Sequence, residues 1–228
     1  MSFAYNELKL YESLMLLALC EEKGTISGSY INYTCVAAML AELLLLNKID
    51  VEDDRKKRVR VLDRSLTGDA LLDEMLLDIG ESSRGRDLQS WVQRLGASEK
   101  IKHKVAQVLV DHGIVQLEEQ KVLWLFTQKV YPEINPEPEK KLRAELRDAV
   151  LTNASQLEPR LVVLLSLVKS SRLLPQVFSK QELLQNKAKI EEIVSGESLG
   201  EAAGAAISAV ETAVIIPAIT AATSVTAV

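Results

Sequence analysis

The sequence predicts a mainly α protein: a single globular helical domain with a buried central helix and short β-hairpins. Three observations carry this. Thr34–Lys48 (TCVAAMLAELLLLNK) holds strong helix formers and neither Gly nor Pro, and its apolar positions run nearly all the way round. A helix apolar on every face is buried on every face, and this one is short of the roughly 20 apolar residues that cross a bilayer. Strand-like alternation is confined to short runs that follow helices. Lastly, 47% apolar against 26% charged residues over 228 positions is the composition of an ordinary globular protein large enough to bury a core, and only 4% aromatics make that core aliphatic.

Leu8–Cys20 reads as a first buried or amphipathic helix, followed by a turn segment with Gly24 and Gly28. The central helix comes next. Its one internal charge, Glu42, requires a partner or a raised pKa once buried, and a structural ion pair is favoured over a catalytic acid. Ile49–Glu52 and Val59–Val61 alternate around a charged turn, a helix followed by a hairpin. Asp69 stands where a carboxylate caps a helix over Ala70–Ile79; Asp69 and Asp73 could pair on one face, but capping explains them more simply. Gly80–Arg86 is a Ser/Gly/Arg loop, and Asp87–Leu95 is a helix with Trp91 as core anchor.

Lys100–His112 repeats the helix–cap–hairpin pattern. Gly113 takes the C′ position, and Ile114–Leu117 and Val122–Phe126 are expected as strands flanking a Glu118–Lys121 turn. Three prolines break the chain over 131–139. Helices follow at Glu139–Leu151, at Glu158–Ser170 with Pro159 at N1, and from Pro175 through Val194. Residues 1–195 thus form the helical domain. The Ala/Val-rich tail, 196–228, is expected to close on the core or make an oligomer contact.

A net charge of -5 and a pI near 5.3 argue against a nucleic-acid binder, and no nucleic-acid partner is expected. Cys20 and Cys35 lie in apolar helical surroundings and read as free thiols of a reducing compartment. No signal peptide or lipidation motif is visible. Two histidines, His103 and His112, and no paired-cysteine spacing give no zinc site; no P-loop, GxGxxG, GxSxG or HExxH occurs, so neither cofactor nor enzyme is expected. Two basic clusters remain: Arg55, Lys56, Lys57, Arg58 and Arg60 on the first hairpin, and Lys100, Lys102 and Lys104 on the later helix. Such clusters on an acidic protein attract phosphates or an anionic bilayer, at about 1 kcal/mol per Lys or Arg.

TGDALLDEML (67–76), LKLYESLMLLAL (8–19), AMLAEL (38–43), LVDHGIV through LWLF (109–126) and EPRLVVLLSLVKSSRLL (158–174) occur in an order that resembles the Golgi phosphoprotein 3 family over about residues 4–195. The resemblance implies a helical domain with a protruding β-hairpin used in self-association. It also implies a peripheral membrane protein on the cytosolic face that binds phosphatidylinositol 4-phosphate and acts as an adaptor for membrane-protein clients. The family's head-group Trp and Arg fall near Ser27 and Val36, and its two further arginines near Glu99 and Lys102. Of these four positions only Lys102 keeps a positive charge, and a lysine does not reproduce a bidentate guanidinium. Lys100 and Lys104 flank it, and the Gly113–Phe126 hairpin is the expected oligomer contact. With no long N-terminal extension, a bacterial homologue is expected, for which another anionic lipid is possible. The alternatives are a soluble oligomeric scaffold without lipid ligand and a winged-helix DNA binder with Arg55–Arg60 as wing; the acidic charge opposes the latter.

Overall fold

Helix α2 (Ile31–Leu45) is the axis of the domain, and all of its residues except Tyr33 and Leu45 are buried. The computed structural model describes residues 8–20, 23–28, 30–53, 55–122, 126–152, 157–195 and 204–208. Cys35, Ala37, Ala38 and Ala41 are small enough to let neighbouring helices approach α2 from several sides. Helix α1 (Leu10–Ala18), buried along its whole length, is one neighbour. Helices α3 (Ala70–Gly80), α4 (Leu88–Gly96), α5 (Lys100–Asp111) and α7 (Pro159–Ser170) also pack against α2. The fold is mainly α, with two separate two-stranded antiparallel hairpins among the described residues. Helix α4 comes close to α2 at Gly96, where a Cβ would stand 2.9 Å from the Tyr33 Cα.

Helix α2 starts three residues ahead of the sequence expectation. Tyr30 precedes it in a left-handed conformation (φ 56°). At its other end Asn47 adopts φ 52°, and Lys48 N–H donates to Leu43 O at 2.9 Å while Asn47 N–H donates to Leu44 O at 3.0 Å. This is a Schellman stop, with Asn in the place usually taken by Gly. The same closure ends α5, with Gly113 at φ 68° and Ile114 N–H donating to Leu109 O, and α7, with Arg172 at φ 59° and Leu173 N–H donating to Val168 O.

The first hairpin is as the alternation predicts: β1 (Ile49–Val51) pairs with β2 (Val59–Val61), Asp50 opposite Arg60. The second differs. Strands β3 (Glu118–Val122) and β4 (Phe126–Val130) pair in register Glu118↔Val130 to Val122↔Phe126. The expected turn Glu118–Lys121 is therefore strand. Ile114 and Val115, expected as strand, are buried core residues directly after the α5 stop. They are apolar because they fill the core, a demand that alternation cannot tell from pairing.

Helix α6 (Glu137–Leu151) carries Pro138 in its first turn, and α7 has Pro159 at N1 with Glu158 as N-cap. The single helix expected from Pro175 to Val194 is three: α8 (Leu174–Val177), α9 (Lys180–Gln185) and α10 (Lys187–Ser195). Ser179 interrupts the run by capping α9 in a reciprocal box with Glu182, and Arg147 pairs with Glu182 at 2.5 Å. Of the tail, 204–208 are helical, with Ala206 and Ile207 in the core; the rest lies outside the described residues.

Candidate functional site

The polar residues of the recurring motifs meet inside the domain. Asp69 caps α3, accepting from Leu72 N–H at 2.9 Å. Its other oxygen accepts the Tyr11 hydroxyl at 2.5 Å, with Lys9 Nζ at 3.6 Å. Burial, then the neighbouring Glu12 charge, pushes the Tyr11 hydroxyl far up and keeps it a donor. Asp73 does not join Asp69; it accepts from both the amide and the hydroxyl of Thr67 at 2.7 Å, closing the turn before α3. Glu12 is fully buried, accepts from Lys9 N–H at 3.1 Å and lies 3.9 Å from His112 Nδ1. Desolvation pushes its carboxyl up, opposed by Lys9 and His112. Glu42 finds the expected partner: Arg160 donates to both its oxygens at 2.8 and 2.9 Å and also to Leu8 O, while Leu10 N–H donates to Glu42 at 2.7 Å. The motifs are thus a buried network that ties α1, α2, α3, α5 and α7 together. Among the described residues no group of three or more His, Cys, Asp or Glu could hold a metal ion.

At the surface, the N-termini of α2 and α5 meet. Asn32, in the first turn of α2, accepts from Lys102 N–H at 3.1 Å and donates to Glu99 at 3.1 Å. Glu99 also takes the Lys102 ammonium at 2.6 Å, and Lys102 holds the Glu99 carboxyl below its ordinary range. Lys104 is bound to both oxygens of Glu74 at 2.9 Å. Lys100 is exposed and has no carboxylate partner among the described residues. His103 contacts the Tyr131 hydroxyl at 2.9 Å; burial and the nearby Lys102 hold its pKa below the ordinary value, so it adds little charge at neutral pH. The other two expected positions separate from this seam. Ser27 donates to Ala18 O at 2.7 Å, on the loop leaving α1, and Val36 is wholly buried in the core and reaches no surface.

The first hairpin's cations are largely matched by its own acids. Arg60 pairs with Asp50 at 2.8 Å, Arg58 with Glu52 at 2.8 Å and Lys57 with Asp53 at 3.0 Å. Arg55 and Lys56 are exposed at the turn. Asn32 escaped the sequence reading because an asparagine in a first helical turn carries no pattern. For the buried network, Glu42 and the Asp69 cap were legible in the sequence; Glu12, a charge inside an otherwise apolar helix, was a further signal.

A mainly helical domain around a buried central helix agrees with sequence comparison. The chain matches the Golgi phosphoprotein 3 (GPP34) family over residues 10–210 and belongs to that family. The match runs past residue 195, where the motif resemblance ended. Among curated proteins it is similar to vacuolar protein sorting-associated protein 74 of Eremothecium gossypii, at 29% identity over an alignment covering 55% of this chain and 44% of the relative. The chain therefore spans less than half the length of that relative. No helix among the described residues is long and apolar enough to cross a membrane.

Proposed function

We propose that this protein is a peripheral membrane adaptor, not an enzyme, that binds an anionic lipid head group, phosphatidylinositol 4-phosphate or another, at the seam between α2 and α5 on the cytosolic face of a membrane. The observation that carries the reading is the Asn32 bridge. It aligns two helix N-termini on one spot inside the family-matched region, beside Lys100 and Lys102. Both helix ends contribute partial positive charge there, and lysines add full charge. Lys104 borders the site, and Glu99 competes with a phosphate for Lys102. Arg55 and Lys56 form a second contact with the bilayer. The sorting role in the relative's name supports a membrane-protein client.

The test is co-sedimentation with neutral vesicles and with vesicles carrying phosphatidylinositol 4-phosphate or phosphatidylserine, for wild type and Lys100→Ala/Lys102→Ala. Binding that needs the anionic lipid and is lost in the variant supports the seam. Absence of binding to every anionic vesicle at low salt overturns the reading in favour of a soluble scaffold.

Self-association through the second hairpin, β3 and β4, belongs to the same proposal. Strands β3 and β4 expose Glu118–Lys121 and Thr127–Lys129, and a two-stranded ladder of this kind is marginal in water without a partner. Sedimentation equilibrium on Gln120→Pro, which breaks the ladder opposite Gln128, should show fewer oligomers than wild type.

A further inference from the structure

The end of helix α3, the Ser/Gly/Arg loop and helix α4 line an open polar cleft of about 310 Å³. Its lining is Asp78, Glu81, Ser82, Ser83, Arg84, Arg86 and Arg94. We propose that Arg84, Arg86 and Arg94 form an anion site that takes a phosphomonoester. The proposal goes beyond the head-group reading above and does not depend on it.

Of the eight other arginines, Arg58, Arg60, Arg143, Arg147 and Arg160 each bind a carboxylate: Glu52, Asp50, Glu139, Glu182 and Glu42; Arg55, Arg64 and Arg172 bind none among the described residues. Arg84, Arg86 and Arg94 bind none among the described residues, although Asp78 and Glu81 line the same cleft. In place of an ion pair, two of the three rest on Trp91: the guanidinium carbons of Arg86 and Arg94 lie 5.2 and 5.4 Å from the centroid of its ring. Trp91 itself is fully buried, so the platform is rigid.

The loop is pinned as well. Val59 N–H donates to Arg86 O at 2.7 Å, Arg86 Nη1 donates to Ser82 Oγ at 2.6 Å, and Asp87 caps α4 through Ser90 N–H at 2.7 Å. Gly85, at φ +41°, packs against the Arg58 side chain. Cations fixed before the ligand arrives spend little ordering entropy on binding it. Guanidinium forks match the oxygens of a phosphate, and the serine hydroxyls can donate to the same group. Three cations against two carboxylates favour one phosphate over a polyphosphate.

The phosphomonoester can be soluble or a lipid head group, and the experiment separates the two. The intact protein is titrated with glycerol 3-phosphate, and separately with phosphatidylcholine vesicles carrying phosphatidic acid. Arginine Nε–Hε and Trp91 indole resonances are followed by 1H–15N NMR, with vesicle co-sedimentation in parallel. Saturable shifts at Arg86 and Arg94, weakened about tenfold or more in Arg84→Ala/Arg94→Ala and retained in Lys100→Ala/Lys102→Ala, support the site. A response to the ester points to a soluble ligand, and a response to the vesicles alone points to a lipid. Three results overturn the proposal: no saturable response to either probe, an arginine variant that responds like wild type, or loss of the response in the lysine variant. Should the double variant fail to fold, Arg84→Ala alone decides, because Arg84 is exposed and takes no part in the stacking on Trp91.

Discussion

Replacing Arg160 with alanine tests the centre of the structure. Glu42 is 3% exposed and Arg160 41% exposed, and the guanidinium supplies two of the three hydrogen bonds found on that carboxylate. Removing one member of a buried ion pair costs about 3–5 kcal/mol, because the remaining charge stays desolvated. Here the solvent that already reaches Arg160 also reaches Glu42 after truncation, and Leu10 N–H remains bonded to it. The expected loss is therefore at the lower end, about 3 kcal/mol. In a domain of this size that lowers Tm by roughly 6–12 °C. Urea unfolding followed by circular dichroism should show a lower midpoint with an unchanged slope. The paired change Glu42→Met/Arg160→Met should recover most of the loss, since an apolar pair of similar volume leaves no stranded charge. A loss below about 1 kcal/mol for Arg160→Ala would place the pair with exposed salt bridges and refute the reasoning.

Four further outcomes are expected. Folded Glu12 keeps its proton above the ordinary glutamate value of 4.5, so the stability it contributes is present below that value and lost as pH rises through the raised one. Glu12→Gln should therefore gain stability relative to wild type as pH rises from 4.5, by at most about 1.4 kcal/mol per pH unit, and a flat difference in urea midpoints would contradict this. Gly24→Ala should cost about 3 kcal/mol or more, since φ is +60° and a Cβ would fall 2.3 Å from Pro132 N; Gly113→Ala, with φ +68° but open space, should cost about 1 kcal/mol in the same assay. Glu99→Gln should free Lys102 and tighten binding to phosphatidylinositol 4-phosphate vesicles several-fold, whereas weaker binding would mean that Glu99 organises the site. Burial pushes the Cys35 thiol up to about 12, so a thiol reagent should modify the partly exposed Cys20 in the native protein and reach Cys35 only on unfolding.

The two basic clusters show why charge in a sequence is a poor guide to charge at a surface. Five cations stand at 55–60, yet Asp50, Glu52 and Asp53 fold back onto three of them through the hairpin register. On α5, Glu74 arrives from α3 to neutralise Lys104, a pairing across thirty residues that no local pattern announces. The arginines of the 80–94 region are more scattered in sequence; among the described residues they form no ion pair, although Asp78 and Glu81 lie in the same cleft, and two of them sit against one indole.

What the sequence determined by itself is the local architecture. An all-round apolar helix, a carboxylate at an N-cap, proline at N1, glycine after a helix and alternation over three residues each act within a few positions. Local physics therefore placed α2, α3, α7, β1 and β2 closely. The tertiary structure alone decided the rest. Ile114 and Val115 are buried in the core, and Val115 pairs in an isolated bridge with Glu133 and not within the hairpin, so the second hairpin lies four residues further along at its start. Ser179 and Glu182 break one apparent helix because Arg147 from α6 holds that corner. Tyr11 meets Asp69, Glu42 meets Arg160 and Asn32 meets Glu99 only because packing around α2 brings distant segments together. Such contacts form where burial makes an unpaired charge costly, and burial is a property of the assembled domain.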